Sequence, residues 1–291
     1  MWTENTRKVY NHRTVDGKMA QGIPFLKMHA LGNDFVILDA RTQPLTGLGQ
    51  LAMRLADRRL GIGCDQVIIL ENSLRGDVFM RILNPDGSEA RACGNSTRCV
   101  SDMMMKEKGT DGVKVETVAG VLPAMRTGSG VITVDMGKPR LNWDEIPLSH
   151  NVDTLCLPLE GKGVSSPVAV NMGNPHAVFF VPDINSVPLE ELGPRFERDV
   201  IFPDRANIEF VEVISRTVLR MRVWERGAGV TFACGSAACA TVVAGVRRGL
   251  AERKAIVKMD GGDLSLEWRE EDGHVYMTGP FTYVFRGEFF L

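Results

Sequence analysis

A displacement of 141 residues lays the second half of this chain on the first without a gap, and that repeat limits the fold more than any single motif does. Gly32-Asn33 falls on Gly173-Asn174, Met80-Arg81 on Met221-Arg222, and Ala92-Cys93-Gly94 on Ala233-Cys234-Gly235. Gln66 lands on Asn207, another side-chain amide. Local context repeats as well. Each Gly-Asn opens an apolar run that reads as a buried strand, Phe35-Val36-Ile37-Leu38 and Ala177-Val178-Phe179-Phe180-Val181. Each Ala-Cys-Gly follows a strand-like stretch (78–83 and 218–224) and opens a helical one. Those helices stop alike, at Lys106-Glu107-Lys108-Gly109 and Arg247-Arg248-Gly249, with basic residues in the last turn and glycine beyond. The reading is two homologous α/β halves.

With 291 residues the chain has room for two domains of ordinary size. Its 34 basic and 36 acidic residues nearly cancel and form no basic block, which argues against nucleic acid or an anionic membrane surface as partner. No apolar stretch approaches the roughly 20 residues that span a bilayer. The polar segment before Phe25 lacks the apolar core of a secretory signal and is expected to be a mobile extension. Six cysteines are too few for a disulfide scaffold, so reduced thiols in the cytoplasm are the expectation.

Cys93 and Cys234 would each sit at a helix start, where unpaired N–H groups and the positive end of the helix dipole favour an anion. There a thiol with an ordinary pKa of about 8.5 is expected to be drawn down towards neutrality. Gly94 and Gly235, next in the chain, let a ligand approach the backbone. Cys64, Cys99, Cys156 and Cys239 read instead as buried structural thiols. Zinc is disfavoured, because the cysteines are spaced C-x5-C and C-x4-C with few histidines nearby. A redox-sensing Cys93–Cys234 pair stays open as an alternative. If the halves face each other, one thiolate can take a proton from an sp3 carbon while the opposite thiol delivers one to the other face. The two helix starts could hold a carboxylate and the charge that develops on deprotonation. Neither a P-loop nor a dinucleotide-binding glycine motif is present, and no metal or cofactor is expected.

The residues now in view resemble the diaminopimelate epimerase family. They are 27–35 (KMHALGNDF), 61–66 (GIGCDQ), 84–89 (NPDGSE), 92–95 (ACGN) with Arg98-Cys99, 172–177 (MGNPHA), Asn207, 225–227 (ERG) and 233–236 (ACGS). The resemblance implies an isomerase that interconverts LL- and meso-2,6-diaminopimelate without pyridoxal phosphate, in lysine biosynthesis. It implies two pseudo-symmetric domains, each a curved sheet or barrel around a central helix, with the active site in the cleft between them. Cys93 and Cys234 would be the acid–base pair, with His176 and Glu225 assisting the thiol–thiolate balance. Asn33, Gln66, Asn84, Asn174, Asn207, Glu225 and Arg226 would bind the substrate. Gly94, Asn95, Gly235 and Ser236, through their N–H groups, would hold the reacting carboxylate. A homodimer acting on a small molecule is the implied assembly.

The expected division is an extension over 1–23, a first domain of 24–135 with 280–291, and a second of 136–279. Ser96-Thr97 and Ala237 stand where the family commonly has Gly-Ala and Gly, and the extra atoms are expected to narrow the substrate space. Cys64 takes a position that is usually aromatic. A racemase of the same fold acting on another amino acid therefore remains the nearest alternative.

Overall fold

The computed structural model describes residues 22–290. The expected extension lies outside the described residues except for its last two, and Ile23 already opens the first strand. The first repeat runs β1 (Ile23–Ala30), β2 (Asn33–Asp39), α1 (Leu48–Ala56), β3 (Gln66–Glu71), β4 (Val78–Leu83) and β5 (Glu89–Ala90). It continues with α2 (Gly94–Lys108), β6 (Gly112–Thr117), β7 (Gly120–Gly128) and β8 (Val131–Asp135). A short hairpin, β9 (Glu160–Gly161) and β10 (Val164–Ser165), precedes the second repeat. That repeat runs β11 (Val168–Asn171), β12 (Pro175–Val181), α3 (Leu189–Glu197), β13 (Asn207–Ser215), β14 (Val218–Glu225) and β15 (Gly229–Thr231). It ends with α4 (Gly235–Arg247), β16 (Lys254–Met259), β17 (Gly262–Trp268) and β18 (Val275–Pro280), and β19 (Thr282–Phe289) closes the chain.

The displacement survives in the hydrogen-bond register. Phe35 stands opposite Gln66 where β2 runs parallel to β3, and His176 stands opposite Asn207 where β12 runs parallel to β13. From β1 the ladder passes through β2, β3, β4, β6 and β7 to β8, with β5 added to β4. The other side passes from β11 through β12, β13, β14, β16 and β17 to β18, with β15 added to β14. β8 and β18 pair antiparallel, so the two curved sheets form one continuous ladder rather than two separately closed barrels. β19 returns to pair with β1.

Strands buried on both faces explain the unbroken apolar runs. Phe35 and Ile37 of β2 point to the inner core, while Val36 and Leu38 point outward beneath α1. In the second repeat Val178 and Val211 face inward, and Ala177, Phe179, Ile208 and Phe210 face α3. Phe179 stacks on Phe196 and Phe210 at 4.8 and 5.2 Å between ring centres. Burying a side chain of that size contributes about 1.5–3 kcal/mol.

The inner layer is a single helix in each repeat. α2 packs on β1, β4, β6, β7 and β8, and α4 on β11 to β14 and β16 to β18. A helix wrapped by a sheet is buried all round and must be slim where the strands approach. In α4 the buried residues are Gly235, Ala237, Ala238, Cys239, Ala240, Thr241, Val242, Val243, Ala244 and Gly245. α2 ends on Gly109 in the left-handed region, with Lys106 and Lys108 in its last turn. No helix among the described residues is long and apolar enough to cross a membrane.

Candidate active site

Each wrapped helix begins immediately after a cysteine. Cys93 and Cys234 are the N-cap residues of α2 and α4, both with extended backbone (φ −149° and −130°). The two helix starts meet where β8 and β18 pair. A β-carbon on Gly235 would lie 3.6 Å from the Gly94 Cα and 2.8 Å from the Met277 sulfur. One on Gly94 would lie 2.8 Å from the Met277 methyl carbon. Glycine at both positions lets the helix starts close to this distance. Asn95, in the first turn of α2, donates to the Ala233 carbonyl at 3.1 Å and so ties the two cysteine loops together.

The thiols differ from the sequence expectation in their electrostatics. Burial pushes the Cys93 thiol up, and the N–H groups of Ser96 and Asn95 do not fully offset it. Cys234 is raised well above its ordinary value, first by burial and then by the neighbouring Glu225 carboxylate. Desolvation of a thiolate therefore outweighs the pull of the helix start in this closed arrangement. The Cys93 sulfur lies 3.8 Å from Asn33 Oδ1, which can only accept. The Cys234 sulfur lies 3.5 Å from the Ser236 hydroxyl. Glu225 is itself raised by burial, against hydrogen bonds from Thr231 and Cys234.

The strand ends supply the polar groups. Gln66 donates to Asn84 Oδ1 at 3.1 Å, and Asn84 donates to the Ser88 hydroxyl at 3.0 Å. Asn33 donates to Asp65 at 3.0 Å. His176 is fully buried, with Nδ1 2.6 Å from Glu209 and Nε2 2.9 Å from Asn174 Oδ1. Asn207 accepts from the Arg226 N–H at 2.9 Å and donates to the Pro175 carbonyl at 3.1 Å, while the Arg226 guanidinium reaches the Asp204 carbonyl. Glu225 raises both thiols, and His176 in turn lowers Glu225 against its burial. Gln66 and Asn84 bond to each other and to neither cysteine.

The side chain of Asn95 is 2% exposed and its amide is spent on Asn33, Ala233 and Arg98, so the group expected to meet a ligand is its N–H and not its amide. Two expectations change. Ser96 and Thr97 turn back to the Cys93 carbonyl at 3.0 and 2.9 Å, and Ala237 is fully buried. The Thr97 and Ala237 atoms fill the helix packing, whereas the Ser96 hydroxyl also hydrogen-bonds the Cys93 sulfur. Cys64, Cys99 and Cys239 are buried free thiols, but Cys156 is exposed, because it lies in a surface turn closed by its N–H to the Asp153 carbonyl.

Two residues escaped the sequence reading. Glu209 was visible in principle, as a carboxylate in the apolar run Ile208-Glu209-Phe210-Val211 on the same strand face as Asn207. Asp65 stood inside a quoted motif without a role. It accepts from Asn33 and from the Asp34 N–H, while Arg58 bridges Asp34 and Asp65.

A family model described as diaminopimelate epimerase matches residues 25–142 and 168–284. A diaminopimelate epimerase of Acidiphilium cryptum is 52% identical over 270 residues, 93% of this chain and 97% of that relative. One of Rhodospirillum centenum is 52% identical over 266 residues, 91% of each. Among solved structures, a PhzF-family phenazine biosynthesis protein of Bacillus anthracis superposes with a TM-score of 0.67 at 18% identity, covering 93% of this chain and 100% of that one. A probable proline racemase of Agrobacterium radiobacter gives 0.67 at 14% identity, covering 91% and 92%. At such identities these two structures are evidence for the fold alone.

Proposed function

The chain belongs to the diaminopimelate epimerase family, and from that premise we propose how its residues carry out the reaction. It is an isomerase of a small-molecule substrate, interconverting LL- and meso-2,6-diaminopimelate in lysine biosynthesis. Cys93 and Cys234 are the acid–base pair. One sulfur, as thiolate, takes the α-hydrogen as a proton and becomes a thiol. The electron pair left on carbon is delocalised into the adjacent carboxylate, and the other thiol gives its proton to the opposite face. Turnover thus exchanges the protonation states of the two sulfurs. The reverse configuration runs the same steps backwards.

The apposition of the two cysteine-led helix starts carries this reading. On this reading the N–H groups at Gly94, Asn95, Gly235 and Ser236 hold the reacting carboxylate and favour the charge that grows on it. Because both thiols are raised, a base must draw a proton from one of them before reaction. Glu225, beside Cys234 and raised by burial, is matched to that task, with His176 and Glu209 behind it. Arg226 suits the distant carboxylate and Glu225 the ammonium group, with Asn33, Gln66, Asn84, Asn174 and Asn207 as neutral partners.

On this reading residues 24–135 with 280–291 form one domain and 136–279 the other, and the enzyme is cytoplasmic and needs neither cofactor nor metal. The exposed run Tyr283-Val284-Phe285 on the edge strand β19 supports a homodimer, which sedimentation velocity would detect. The reaction itself is tested by incubating reduced enzyme with LL-diaminopimelate in D2O and following the α-carbon by NMR. Deuterium incorporation with appearance of the meso isomer, lost in Cys93→Ala and in Cys234→Ala, is the expected result. An inert reduced enzyme would remove the substrate assignment, and exchange that persists in either variant would remove the two-thiol mechanism.

A further inference from the structure

Arg98, on the second turn of α2, is among the largest fully buried side chains in the protein. No carboxylate among the described residues pairs with it. Its Nε donates to the Pro280 carbonyl at 3.1 Å, one terminal nitrogen reaches the Met277 sulfur at 3.5 Å, and the other donates to Asn95 Oδ1 at 2.9 Å. Burial draws its pKa down to about 10, so it remains a cation at neutral pH. A buried charge without a counter-charge is destabilising relative to an apolar side chain of similar size. Nor does the fold demand it. Displacement by 141 residues carries Arg98 onto Cys239 and Asn95 onto Ser236, and α4 builds the same wrapped helix with those smaller residues.

What the guanidinium does is orient an amide. With Oδ1 of Asn95 held by Arg98, its Nδ2 must face the Ala233 carbonyl at 3.1 Å and Asn33 Oδ1 at 3.3 Å. Flipped, the amide would turn an oxygen on two oxygens. Asn33 is in turn fixed by donating to Asp65, which leaves its Oδ1 beside the Cys93 sulfur. A directed chain therefore runs from the Arg98 cation through Asn95 and Asn33 to the Asp65 carboxylate. It grips the residue before Cys234 and the acceptor that faces Cys93.

We propose that Arg98 is a positioning residue for the two-cysteine reaction, fixing the Asn95 amide and through it the relative placement of Cys93 and Cys234 without touching substrate. This rests on the reading of the reaction given above. Misplacing reacting groups by about 1 Å can cost on the order of a hundredfold in rate. Arg98→Met is expected to keep or raise the melting temperature while kcat falls roughly ten- to a hundredfold with little change in KM. Asn95→Ala should lose kcat to a similar degree, and the double variant should be no worse than either single one. Arg98→Lys, which restores the charge but not the planar fork, should stay close to Arg98→Met.

Each other outcome overturns the proposal. An Arg98→Met protein that fails to fold, or that melts earlier with normal kcat, assigns the arginine a structural role. Full rescue by lysine assigns the effect to charge alone, and losses that multiply in the double variant break the link through Asn95. Wild-type enzyme inert on diaminopimelate, by contrast, is a failure of the reaction assignment and is recognised before any Arg98 variant is compared.

Discussion

Gly261→Ala tests whether the two repeats are held at the spacing described above. Gly261 sits between β16 and β17, and a methyl group there would lie 2.0 Å from the Leu31 carbonyl oxygen and 2.9 Å from its carbon. Ordinary van der Waals contact begins near 3.4 Å, so the β1–β2 turn and residue 261 must part by roughly 1.4 Å. The obstruction is backbone, and no rotamer relieves it. Overpacking of this kind costs about 1–3 kcal/mol. Parting the two also strains the hydrogen bond from the Gly261 N–H to the Phe232 carbonyl, now 2.8 Å, worth about 1 kcal/mol net. A loss of about 2–4 kcal/mol lowers Tm by on the order of 10 °C in a chain of this size. Leu31 adjoins Gly32-Asn33, and Phe232 adjoins Ala233-Cys234, so the displacement falls on the surroundings of both sulfurs. Turnover of the folded variant should drop roughly tenfold or more. Gly112→Ala is the control, since its nearest non-neighbouring atom is 3.9 Å from the added carbon. Calorimetry and α-carbon exchange are compared for wild type and both variants. If Gly261→Ala melts and exchanges like Gly112→Ala, the Leu31 turn is not seated on Gly261 in solution, and the spacing argument fails.

Glu209→Gln removes the buried carboxyl against His176 Nδ1, one of whose oxygens has no partner among the described residues. The variant should melt no earlier than wild type and lose roughly tenfold in kcat; an unchanged kcat would detach Glu209 from the chemistry. Burial raises the Asp34 carboxyl, but Arg58 and Lys27 outweigh it and bring the pKa from the ordinary 3.8 to about 2. A lowered folded-state pKa means stability present above pH about 4 and lost as pH falls through about 2, amounting to on the order of 1 kcal/mol after solvent screening of the half-buried carboxyl. Asp34→Asn should therefore melt earlier at pH 7 and show a flatter acid limb, and parallel acid limbs would count against the assignment. Iodoacetamide at neutral pH should label exposed Cys156 first, without loss of activity, buried Cys234 after it, and fully buried Cys99 and Cys239 last. Peptide mass spectrometry that finds Cys234 modified ahead of Cys156 would contradict the raised thiol.

How much of this was legible in the chain depends on the range of the interaction. The repeat, the apolar strands and the helix starts after Cys93 and Cys234 are local patterns, and the paired register of Phe35 with Gln66 and His176 with Asn207 keeps the displacement read from the residues alone. The β8–β18 pairing, which joins the two sheets, involves partners some 140 residues apart and has no local signature. Thiol electrostatics were misjudged for the same reason. The helix start is visible in a short window, whereas the burial that outweighs it comes from strands and from Glu225, far away in sequence for Cys93. Asn95 is read from its place after Cys93-Gly94 as a backbone N–H donor, and only the Arg98 and Ala233 contacts show what its side-chain amide does.

A duplicated backbone supplies two thiols on two helix starts, but a substrate with one α-carbon between the sulfurs and its other end held at a distance does not share that symmetry. The differences lie at displaced pairs. His176 and Glu209 fall on Phe35 and Ile68, so the polar pair of the second repeat is matched by two apolar residues in the first. Glu225 falls on Asn84, placing a carboxylate beside Cys234 where the first repeat has a neutral amide. Arg98 falls on Cys239. The pattern is one-sided: the buried carboxylates Glu209 and Glu225 belong to the repeat of Cys234, and the buried cation Arg98 to the repeat of Cys93. The thiols are therefore alike in geometry and unlike in charge surroundings: burial and Glu225 raise both, and for Cys234 the Glu225 carboxylate is the largest cause after burial. If that asymmetry matters to the reaction, exchanging it should be costlier than exchanging the sulfurs' neighbours in the helices. Asn84→Glu together with Glu225→Gln keeps the charge count and moves the carboxylate to the other side. Loss of α-carbon exchange in that pair, with an unchanged melting temperature, is the expected result, and retained exchange would show that the backbone repeat alone suffices.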